Sequence, residues 1–486
     1  MNLNHRKLWT LLAVLLCAVA LIASNGVINV VSRNQVSNES VTGYRWEPST
    51  GAGSYWAASW ATYPINNTNA VTSYVSAWNG KWLGPTTLTA PNGRATDDVN
   101  LSYDSVRNRF VFVLLDISTL TTPNVWYGYS TDATGVSWAF GNKDSLGNPQ
   151  PVFAAASSNW DYPSIGVDSA GRVIIGSVNF SPMGYYAALS TDGEHFGAPM
   201  ALPLSGSGNS LGARSRVVAA GSIFHVFAPL LNGQYLPTEI DRYQSADARN
   251  WSKYTVETFG APLNSAQPSG SGLPIFYAPL LSAAGYPDGR WIVGWQRNNS
   301  GWNNMEVCTP DRGCGTVNSQ PDDQFLAGVS VSADGYWAAY HTYSTLNNRS
   351  LPVITQAIYF RTGYAGIGAT TNSNVAVTSW AVAGVPYNSP PPRCMDSSGG
   401  VVECYAAGDY NTPTSNAYGA SNTTYVQSSS RQNDLFQSFQ QDPQALPNAP
   451  NFVPNFVAHP MGANLSAEAL PVPPESGAQP GPSRAF

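Results

Sequence analysis

Charged side chains are scarce in this chain. Only 11% of its 486 residues are Asp, Glu, Lys or Arg, and the formal net charge is −6. An ordinary globular domain carries about a quarter of its residues in these four types. Surfaces that bind nucleic acid need clustered Lys and Arg, so this composition excludes nucleic acid as a partner. Hydrophobic residues reach 43%, which is enough to build a core.

Amphipathic helical patterns are also missing, and the one long apolar run lies at the N-terminus. This run, residues 8–23, follows Arg6 and Lys7 and contains the small-x-small sequence Ala18-Val19-Ala20. Such a pattern is typical of a secretory signal peptide, which we predict over residues 1–25. An uncleaved anchor is the alternative, although the run is slightly short to span a bilayer. We expect a secreted or cell-surface protein with no stable membrane span after cleavage.

Cysteine is rare, with five residues in the whole chain. Cys17 lies in the apolar run, and the other four form two close pairs. In an oxidising compartment this spacing predicts two local disulfides, Cys308–Cys314 and Cys394–Cys404. Metal binding is the competing interpretation, but no His or C-x-x-C accompanies these cysteines, so no metal site is predicted. No cofactor is expected, and structural calcium in an Asp-rich loop is left open.

Short strand patterns are what the chain has in abundance. Residues 161–202 alternate apolar and small polar side chains in four runs, each closed by Gly, Pro, Asp or Ser. Four short antiparallel strands cannot bury both faces alone, so the unit needs copies of itself to pack against. Similar turns begin at Ser130, Ser190 and Ser245, and their nearly regular spacing suits one four-stranded blade per unit.

Further units of this kind cover most of the chain. The predicted fold is therefore all-β, a six- or seven-bladed β-propeller of four-stranded antiparallel blades at residues 51–442. A leader at 26–50 precedes it, and a Pro-rich flexible tail at 443–486 follows it. The first and last segments can share one blade, which would close the ring and remove exposed sheet edges. In the fifth unit, the Cys308–Cys314 loop takes the place of the last turn.

The turn Ser190-Thr191-Asp192-Gly193, with Phe196 after it, resembles the Asp-box (BNR repeat) of secreted sialidase-like propellers. In that turn Ser and Asp cap backbone amides, Gly adopts positive φ, and the aromatic residue packs between blades. Two looser copies lie on either side of it, at Ser130, Asp132 and Trp138 and at Ser245, Asp247 and Trp251. Asp161-Tyr162-Pro163 resembles the start of an inner strand in such propellers, and Gly408-Asp409-Tyr410 resembles the Gly-Asp-Tyr sequence near the end of secreted sialidase-like repeat proteins.

The resemblance also implies where an active site would lie. A sialidase binds its substrate carboxylate with three arginines and uses a Tyr–Glu pair as nucleophile and an Asp as acid/base. The site residues implied here are Tyr410, Asp98 and Arg216. Their alternatives or missing partners are Asp97, Arg214, Arg297, Arg361, Glu239 and Glu306. For the family's first arginine motif, Tyr44-Arg45-Trp46-Glu47-Pro48 is the only similar stretch.

The motifs of a sialidase site are thus incomplete, which favours structural roles for these residues. We expect a non-catalytic module that binds an extracellular glycan or a surface protein through the loops of the ring. The alternative is a glycoside hydrolase, exo-sialidase-like, and a structural envelope protein is a third hypothesis. His225 and His341 lie singly in predicted strands, as do most Trp residues, so we expect core packing for them.

Overall fold

The structure is a computed structural model that describes residues 27–32, 43–53, 55–64, 72–78, 82–117, 123–155, 159–181, 183–203, 210–211, 215–232, 237–260, 281–299, 302–310, 313–316, 324–325, 328–331, 337–341, 343–344, 357–361, 394–395, 401–402, 414–415, 420–428 and 433–441. Every regular element in these ranges is a β-strand. No helix suited to crossing a membrane occurs among them.

The N-terminal half of the described chain forms one strand and four sheets. Strand β1 is Val27–Ser32. The first sheet contains β2 (Gly43–Ala52), β3 (Trp56–Pro64), β4 (Thr72–Trp78) and β5 (Trp82–Leu88). The second contains β6 (Ala95–Asp104), β7 (Arg109–Ile117), β8 (Val125–Ser130) and β9 (Trp138–Phe140). The third contains β10 (Trp160–Val167), β11 (Val173–Phe180), β12 (Met183–Ser190) and β13 (Met200–Ala201). The fourth contains β14 (Ser210–Leu211), β15 (Arg216–Ala220), β16 (Ile223–Leu231), β17 (Pro237–Ser245) and β18 (Ser252–Thr258).

The remaining strands follow the same plan. The fifth sheet contains β19 (Ser282–Gly285), β20 (Trp291–Asn299), β21 (Trp302–Thr309) and β22 (Gly313–Thr316). Next come β23 (Gln324–Phe325), β24 (Gly328–Val331), β25 (Trp337–His341), β26 (Tyr343–Ser344) and β27 (Ala357–Arg361). Of these, β24, β25 and β27 form the sixth sheet, and β23 pairs with β26. The short strands β28 (Cys394–Met395) and β29 (Val401–Val402) pair with each other. The last strands are β30 (Thr414–Ser415), β31 (Ala420–Ser428) and β32 (Asn433–Gln441).

Neighbouring sheets contact each other through their first strands. The contacts run from β2 to β6, β10, β15, β19, β24 and β30 in turn, and β30 contacts β2 again. All pairings within the sheets are antiparallel, and consecutive strands are neighbours in most of them. A ring of four-stranded antiparallel sheets is the architecture of a β-propeller. The predicted all-β propeller is therefore confirmed.

The ring is closed by pairing the first strand with the last. Strand β1 lies at the edge of the closing sheet, whose order is β1, β32, β31 and β30. The register places Val27 opposite Phe439 and Val30 opposite Phe436. The range predicted as a leader thus contributes a strand to this sheet. Because β1 covers one side of β32, it removes a row of unpaired backbone groups that an exposed edge would present.

The two ends of each sheet have different roles. The hairpins between the first and second strands and between the third and fourth strands lie at one end, which we call the turn end. The opposite end, which we call the loop end, holds the other hairpin and the connections between sheets. At the turn end of the third sheet, Asp192 accepts hydrogen bonds from the Ser190 hydroxyl (2.9 Å) and from the backbone N–H of Glu194 and His195 (2.9 and 2.8 Å). Gly193 has φ of +72° there.

These hydrogen bonds keep the turn carboxylate ionised. Burial alone raises the pKa of Asp192, but the N–H donors of His195 and Glu194 and the Ser190 hydroxyl lower it by more. Its pKa therefore lies well below the ordinary range for Asp, as expected for a carboxylate that accepts several hydrogen bonds.

In the two looser copies of this turn, the aspartate also accepts hydrogen bonds from backbone N–H groups, although the other residues of the turn differ. Asp132 accepts a hydrogen bond from the Thr134 backbone at 2.7 Å, and Gly135, one place further along, has φ of +70°. In the third copy, Asp247 accepts two backbone N–H groups at 2.9 and 2.8 Å, and Ala248 has φ of +55° where glycine would be easier. A displaced or missing glycine in the sequence therefore changes the detail of the turn and preserves its hydrogen bonds.

The fifth sheet has a covalent link at the same position. The disulfide Cys308–Cys314 joins residues that face each other on β21 and β22. It closes the hairpin that carries the Ser–Asp turn in the second, third and fourth sheets. Cys404 lies outside the described residues, so the Cys394–Cys404 disulfide stays a prediction.

Arginines connect the turns of neighbouring sheets. Arg109 in the second sheet donates to the Gly193 carbonyl (2.9 Å) and to the Glu194 carboxylate (2.8 Å) of the third. Arg172 in the third sheet donates to the Ala246 carbonyl of the fourth at 2.8 Å. The Ser–Asp turns of the third and fourth sheets thus close their own hairpins and also accept hydrogen bonds from the preceding sheet.

Aromatic and aliphatic side chains fill the space between sheets. Phe196, which follows the turn of the third sheet, packs edge-on against Tyr127 of the second at 4.9 Å between ring centroids. The tryptophans of β3 and β20 are core residues, as expected, with Trp56, Trp60, Trp291 and Trp295 all 6% exposed or less. His225 is also in the core, and its two ring nitrogens have no hydrogen-bond partner among the described residues.

Deletion of residues 27–32 tests the ring closure. We expect the variant to melt at a lower temperature and to form dimers or aggregates, because β32 would become an exposed edge. Thermal unfolding and size-exclusion chromatography of the purified protein measure both effects. Deletion of residues 443–486, the predicted tail, is the control and should change neither. A β1 deletion that behaves like the tail deletion would show that the ring does not need this strand.

His225 predicts how acid affects stability. Burial, helped by the charge of Arg242, lowers the pKa of His225 to about 3. Below about pH 6.5 the unfolded chain binds a proton at this histidine and the folded chain does not. The free energy of unfolding therefore falls by up to about 1.4 kcal/mol for each pH unit. We expect His225→Leu to lose less stability than the native chain between pH 7 and pH 4.5 in denaturant titrations. Equal acid sensitivity of His225→Leu and the native chain would refute the assignment.

Candidate functional site

We call the strands through which neighbouring sheets contact each other the inner strands. The inner strands of the first three sheets, β2, β6 and β10, each contain a β-bulge at the loop end. The register shifts between Trp46 and Ser49 in β2, between Asp97 and Asn100 in β6, and at the equivalent place in β10. Asp98 and Tyr162 occupy the same position in their bulges, with φ of +46° and +50°. A left-handed backbone is unfavourable for residues other than glycine, so a repeated instance marks a constrained rim. Bulges of this kind redirect side chains.

Serine hydroxyls next to these bulges join neighbouring inner strands. Ser49 accepts a hydrogen bond from the backbone N–H of Leu101 at 3.0 Å, and Ser164 accepts one from Val217 at 3.1 Å. The fifth and sixth sheets repeat this link, where Ser282 accepts the N–H of Val329 at 3.0 Å. The hydroxyls therefore serve the packing of the ring, and their repetition in three interfaces argues against a single reactive serine.

The sequence-predicted site residues are only partly placed together. Asp97 and Asp98 are fully buried in β6, and Arg216 is 6% exposed at the start of β15. Strand β10 lies between these two strands in the ring. Tyr410 lies outside the described residues. The bulge in β6 accounts for the burial of two adjacent acids, since their side chains would otherwise point to opposite faces of the strand.

A buried tyrosine that the sequence analysis missed lies near Arg216. The Tyr185 hydroxyl is 2.9 Å from the Ser164 hydroxyl, and Tyr185 has no exposed surface. Burial raises the pKa of Tyr185 far above its ordinary value, and the Ser164 hydrogen bond and the charge of Arg216 lower it by less. A Cβ at Gly176 would lie 2.1 Å from the Tyr185 hydroxyl, which is why glycine stands there. A phenol held this firmly neutral is a hydrogen-bonding group and a poor nucleophile.

Arg297, a predicted clamp residue, is neutralised within the protein. Its guanidinium binds the Glu257 carboxylate and lies 3.2 and 3.3 Å from the Glu306 oxygens. Burial raises the pKa of Glu306, the Glu257 charge raises it further, and Arg297 opposes both. The group links the fourth sheet to the fifth. Glu257 also lies near the sulfurs of Cys308 and Cys314, but the disulfide leaves no thiolate there to bind a metal.

Glu239 belongs to a second charged group, on the fourth sheet. Lys253 contacts Glu239 at 2.7 Å and the fully buried Asp241 at 2.9 Å. Burial raises the pKa of Asp241 to about 6, although Lys253 lowers it, whereas for Glu239 the Lys253 interaction outweighs burial and the pKa falls. The sequence signal was present, because Glu239 and Asp241 are two apart on a strand and so share a face.

The loop end of the second sheet has a polar surface built around Asp116. This buried carboxylate accepts hydrogen bonds from the Asn92 amide (2.7 Å), the Asn124 amide (2.8 Å) and the Trp126 indole (2.8 Å). Arg94 lies 3.6 Å away. Asn92 is exposed, and Arg94 and Asn124 are partly exposed. We call Asn92, Arg94 and Asn124 the amide surface. Its side chains come from two different loops, and Asp116 holds them in fixed positions.

Most described arginines pair with carboxylates of the protein itself. The ion pairs are Arg94–Asp116, Arg107–Asp104, Arg109–Glu194, Arg172–Asp168, Arg290–Asp288 and Arg297 with Glu257 and Glu306. A clamp for a substrate carboxylate needs three arginines that converge on one point. No such convergence is found within the described part of the chain.

No protein-family model matches the chain, and no curated protein sequence matches it. Among solved structures it is similar to a protein of unknown function from Dyadobacter fermentans, with 10% identity, TM-score 0.41 and coverage of 86% of this chain and 98% of that one. For the Penicillium chrysogenum α-L-arabinanase in complex with arabinobiose, the identity is 11%, the TM-score 0.44 and the coverage 86% and 99%. For the leech intramolecular trans-sialidase, the values are 10%, 0.44, 69% and 70%. Similarity at this level assigns neither a family nor an activity.

Asp116→Ala tests the support of the amide surface. The variant leaves the buried Trp126 indole and the Asn92 and Asn124 amides without their acceptor, so we expect the unfolding free energy to fall by about 2 to 4 kcal/mol. Denaturant titration of the native and variant proteins measures the change. Asp144→Ala is the matched control, because Asp144 also accepts several hydrogen bonds in a loop but lies near the surface. A loss at Asp116 no larger than the loss at Asp144 would contradict the structural role.

Proposed function

We propose that this protein is a secreted or cell-surface, seven-bladed sialidase-like propeller with Asp-box turns, and that it binds extracellular glycans without catalysis. Seven blades follow if the three-stranded sixth sheet counts as a blade and the closing sheet as the last. The Asp-box assignment is supported by three Ser–Asp turns at equivalent positions, each with backbone N–H groups hydrogen bonded to the aspartate.

The amide surface carries the proposal for glycan binding. Asn and Arg side chains donate and accept the hydrogen bonds that sugar hydroxyls offer, and a fixed arrangement loses less entropy when the ligand binds. Asp116 supplies that fixed arrangement through hydrogen bonds of 2.7 and 2.8 Å. The low charge of the chain agrees with a neutral, hydroxyl-rich partner.

The buried acids and the paired arginines support a non-catalytic role. Asp97 and Asp98 have no exposed surface that a substrate could reach, and Arg297 already binds two glutamates. A sialidase would need these groups open to the substrate and oriented toward one point.

One observation favours a glycoside hydrolase as the second candidate. Glu239 and Asp241 are paired carboxylates whose pKa values move in opposite directions, and the pKa of Asp241 is about 6. Two acids that differ in this way are the pattern of a general acid and its partner in glycosidases. Asp241 is buried behind Lys253, however, so it would need an opening that exposes it.

A panel of fluorogenic glycosides, sialosides included, separates the two candidates. We expect no turnover by the secreted protein and binding to a subset of glycans on an array, because the candidate acids Asp97, Asp98 and Asp241 are buried. Turnover that disappears in Tyr410→Phe or in Asp241→Asn would refute the binding proposal and identify the catalytic group. A folded protein that neither turns over a substrate nor binds any glycan would refute both candidates. If the protein then bound a cell-surface protein and no glycan, its partner would be a protein.

A further inference from the structure

Arg242 is a partly buried arginine that contacts two aromatic rings and has no ion pair among the described residues. It lies on β17 and is partly buried, and its guanidinium carbon is 4.6 Å from the ring centroid of Tyr254 and 5.1 Å from that of Trp291. Tyr254 is on β18 of the same sheet, whereas Trp291 is on β20 of the fifth. The arginine therefore lies where the fourth and fifth sheets meet, and we call Arg242, Tyr254 and Trp291 together the Arg242 groove.

No carboxylate compensates this charge in the described part of the chain. Arg242 has no ion pair or side-chain hydrogen bond with any described residue, and its Nε atom is buried without a partner. Burial lowers the pKa of Arg242, an unusual direction for a guanidinium, with the Tyr254 side chain opposing it. A partly buried cation without a partner is unfavourable, and cation–π contacts recover only part of that cost.

The other charged and titratable groups around Arg242 leave the groove positive. His225 lies opposite Gln244, two residues from Arg242. It is buried, and because its pKa is lowered to about 3 it is neutral at pH 7. The described acids on strands β17, β18 and β21 already have partners, with Glu239 and Asp241 bound to Lys253, and Glu257 and Glu306 bound to Arg297. A positive groove of this kind attracts an anion.

Tyr254 gives the groove a second binding element. It is 45% exposed, whereas Trp291 on the other side of the arginine is 6% exposed. The Arg242 contact holds the Tyr254 ring in place, and an exposed, fixed aromatic face can stack on the apolar face of a sugar ring. The fork of N–H groups on a guanidinium matches a carboxylate or a similar oxyanion in a bidentate geometry.

We infer that the Arg242 groove is a binding site for an acidic sugar, in which Arg242 pairs with the oxyanion and Tyr254 stacks on the ring. The oxyanion is a carboxylate or a sulfate ester, since both present two oxygens to the guanidinium. This site lies between two sheets, apart from the amide surface, and does not depend on the glycan binding proposed for that surface.

Titration of the folded, secreted protein with three small probes tests the inference. The probes are glucuronic acid, glucose 6-sulfate and glucose, followed by calorimetry or by NMR shifts. We expect the two anionic probes to bind and glucose to bind at least tenfold more weakly. The stronger anionic probe identifies the oxyanion. Raising the salt concentration should weaken the anionic probes, because part of the attraction is screened.

Variants assign the binding to the groove. Arg242→Gln should weaken anionic binding at least tenfold, and Tyr254→Ala should weaken it too by removing the stacking face. Arg249→Gln is the matched control, because Arg249 is an exposed arginine on the neighbouring turn outside the groove, and it should bind as the native chain does. If Arg242→Gln does not fold, Arg242→Lys keeps the charge without the fork and should give an intermediate loss.

Three outcomes would overturn the inference. They are equal affinity for glucose and glucuronic acid, unchanged binding in both Arg242→Gln and Tyr254→Ala, and the absence of binding by either anionic probe. A glycan array with neutral ligands keeps the two sites distinguishable, since Arg242→Gln should leave binding at the amide surface unchanged.

Discussion

Face-to-face packing of small antiparallel sheets is the constraint on which the structure depends. A sheet of four short strands cannot bury both of its faces, so each one is stable only between two neighbours. A ring satisfies every sheet in this way, provided that its ends are joined. The pairing of β1 with β32 supplies that join, and it explains why a strand at the very start of the described chain belongs with the last ones. The Ser49, Ser164 and Ser282 hydroxyls then fix how neighbouring inner strands meet.

Because the chain has few charged residues, most of the described ones have an identifiable structural role. At the turn end, Arg109 and Arg172 bind carbonyl groups of the next sheet, so the Ser–Asp turns act between sheets as well as within them. At the loop end, Asp116 organises two loops. A partly buried charge that has neither role and no ion pair among the described residues is therefore unusual. In a chain with a quarter of its residues charged, an arginine without a carboxylate would be hidden among many; here Arg242 is an exception that needs a physical reason.

The fold was largely predictable and the site was not, for a physical reason. Strands and turns depend on local signals, such as period-two alternation and Ser, Asp and Gly at fixed offsets, and these are legible in residues 161–202. The site depends on which side chains meet across the ring. Nothing local indicates that the β6 bulge buries Asp97 and Asp98 together, or that Arg297 is neutralised by Glu257 and Glu306 from two different sheets. Tyr185 was missed because an aromatic residue in a strand is ordinarily only core.

Arg242 shows how the two levels combine. Its place on a strand is predictable, and so is the aromatic character of its neighbours, but the absence of a partner becomes visible only once every nearby acid has been matched with its own cation. Two aromatic rings hold the guanidinium in a groove where desolvation would otherwise be unfavourable. A cation that has no ion-pair partner among the described residues is consistent with an external anion that supplies one. A merely structural arginine would gain more from an ion pair, and Glu257, only three residues beyond Tyr254, is bound to Arg297 instead. The distribution of carboxylates thus favours a ligand over packing as the reason for Arg242.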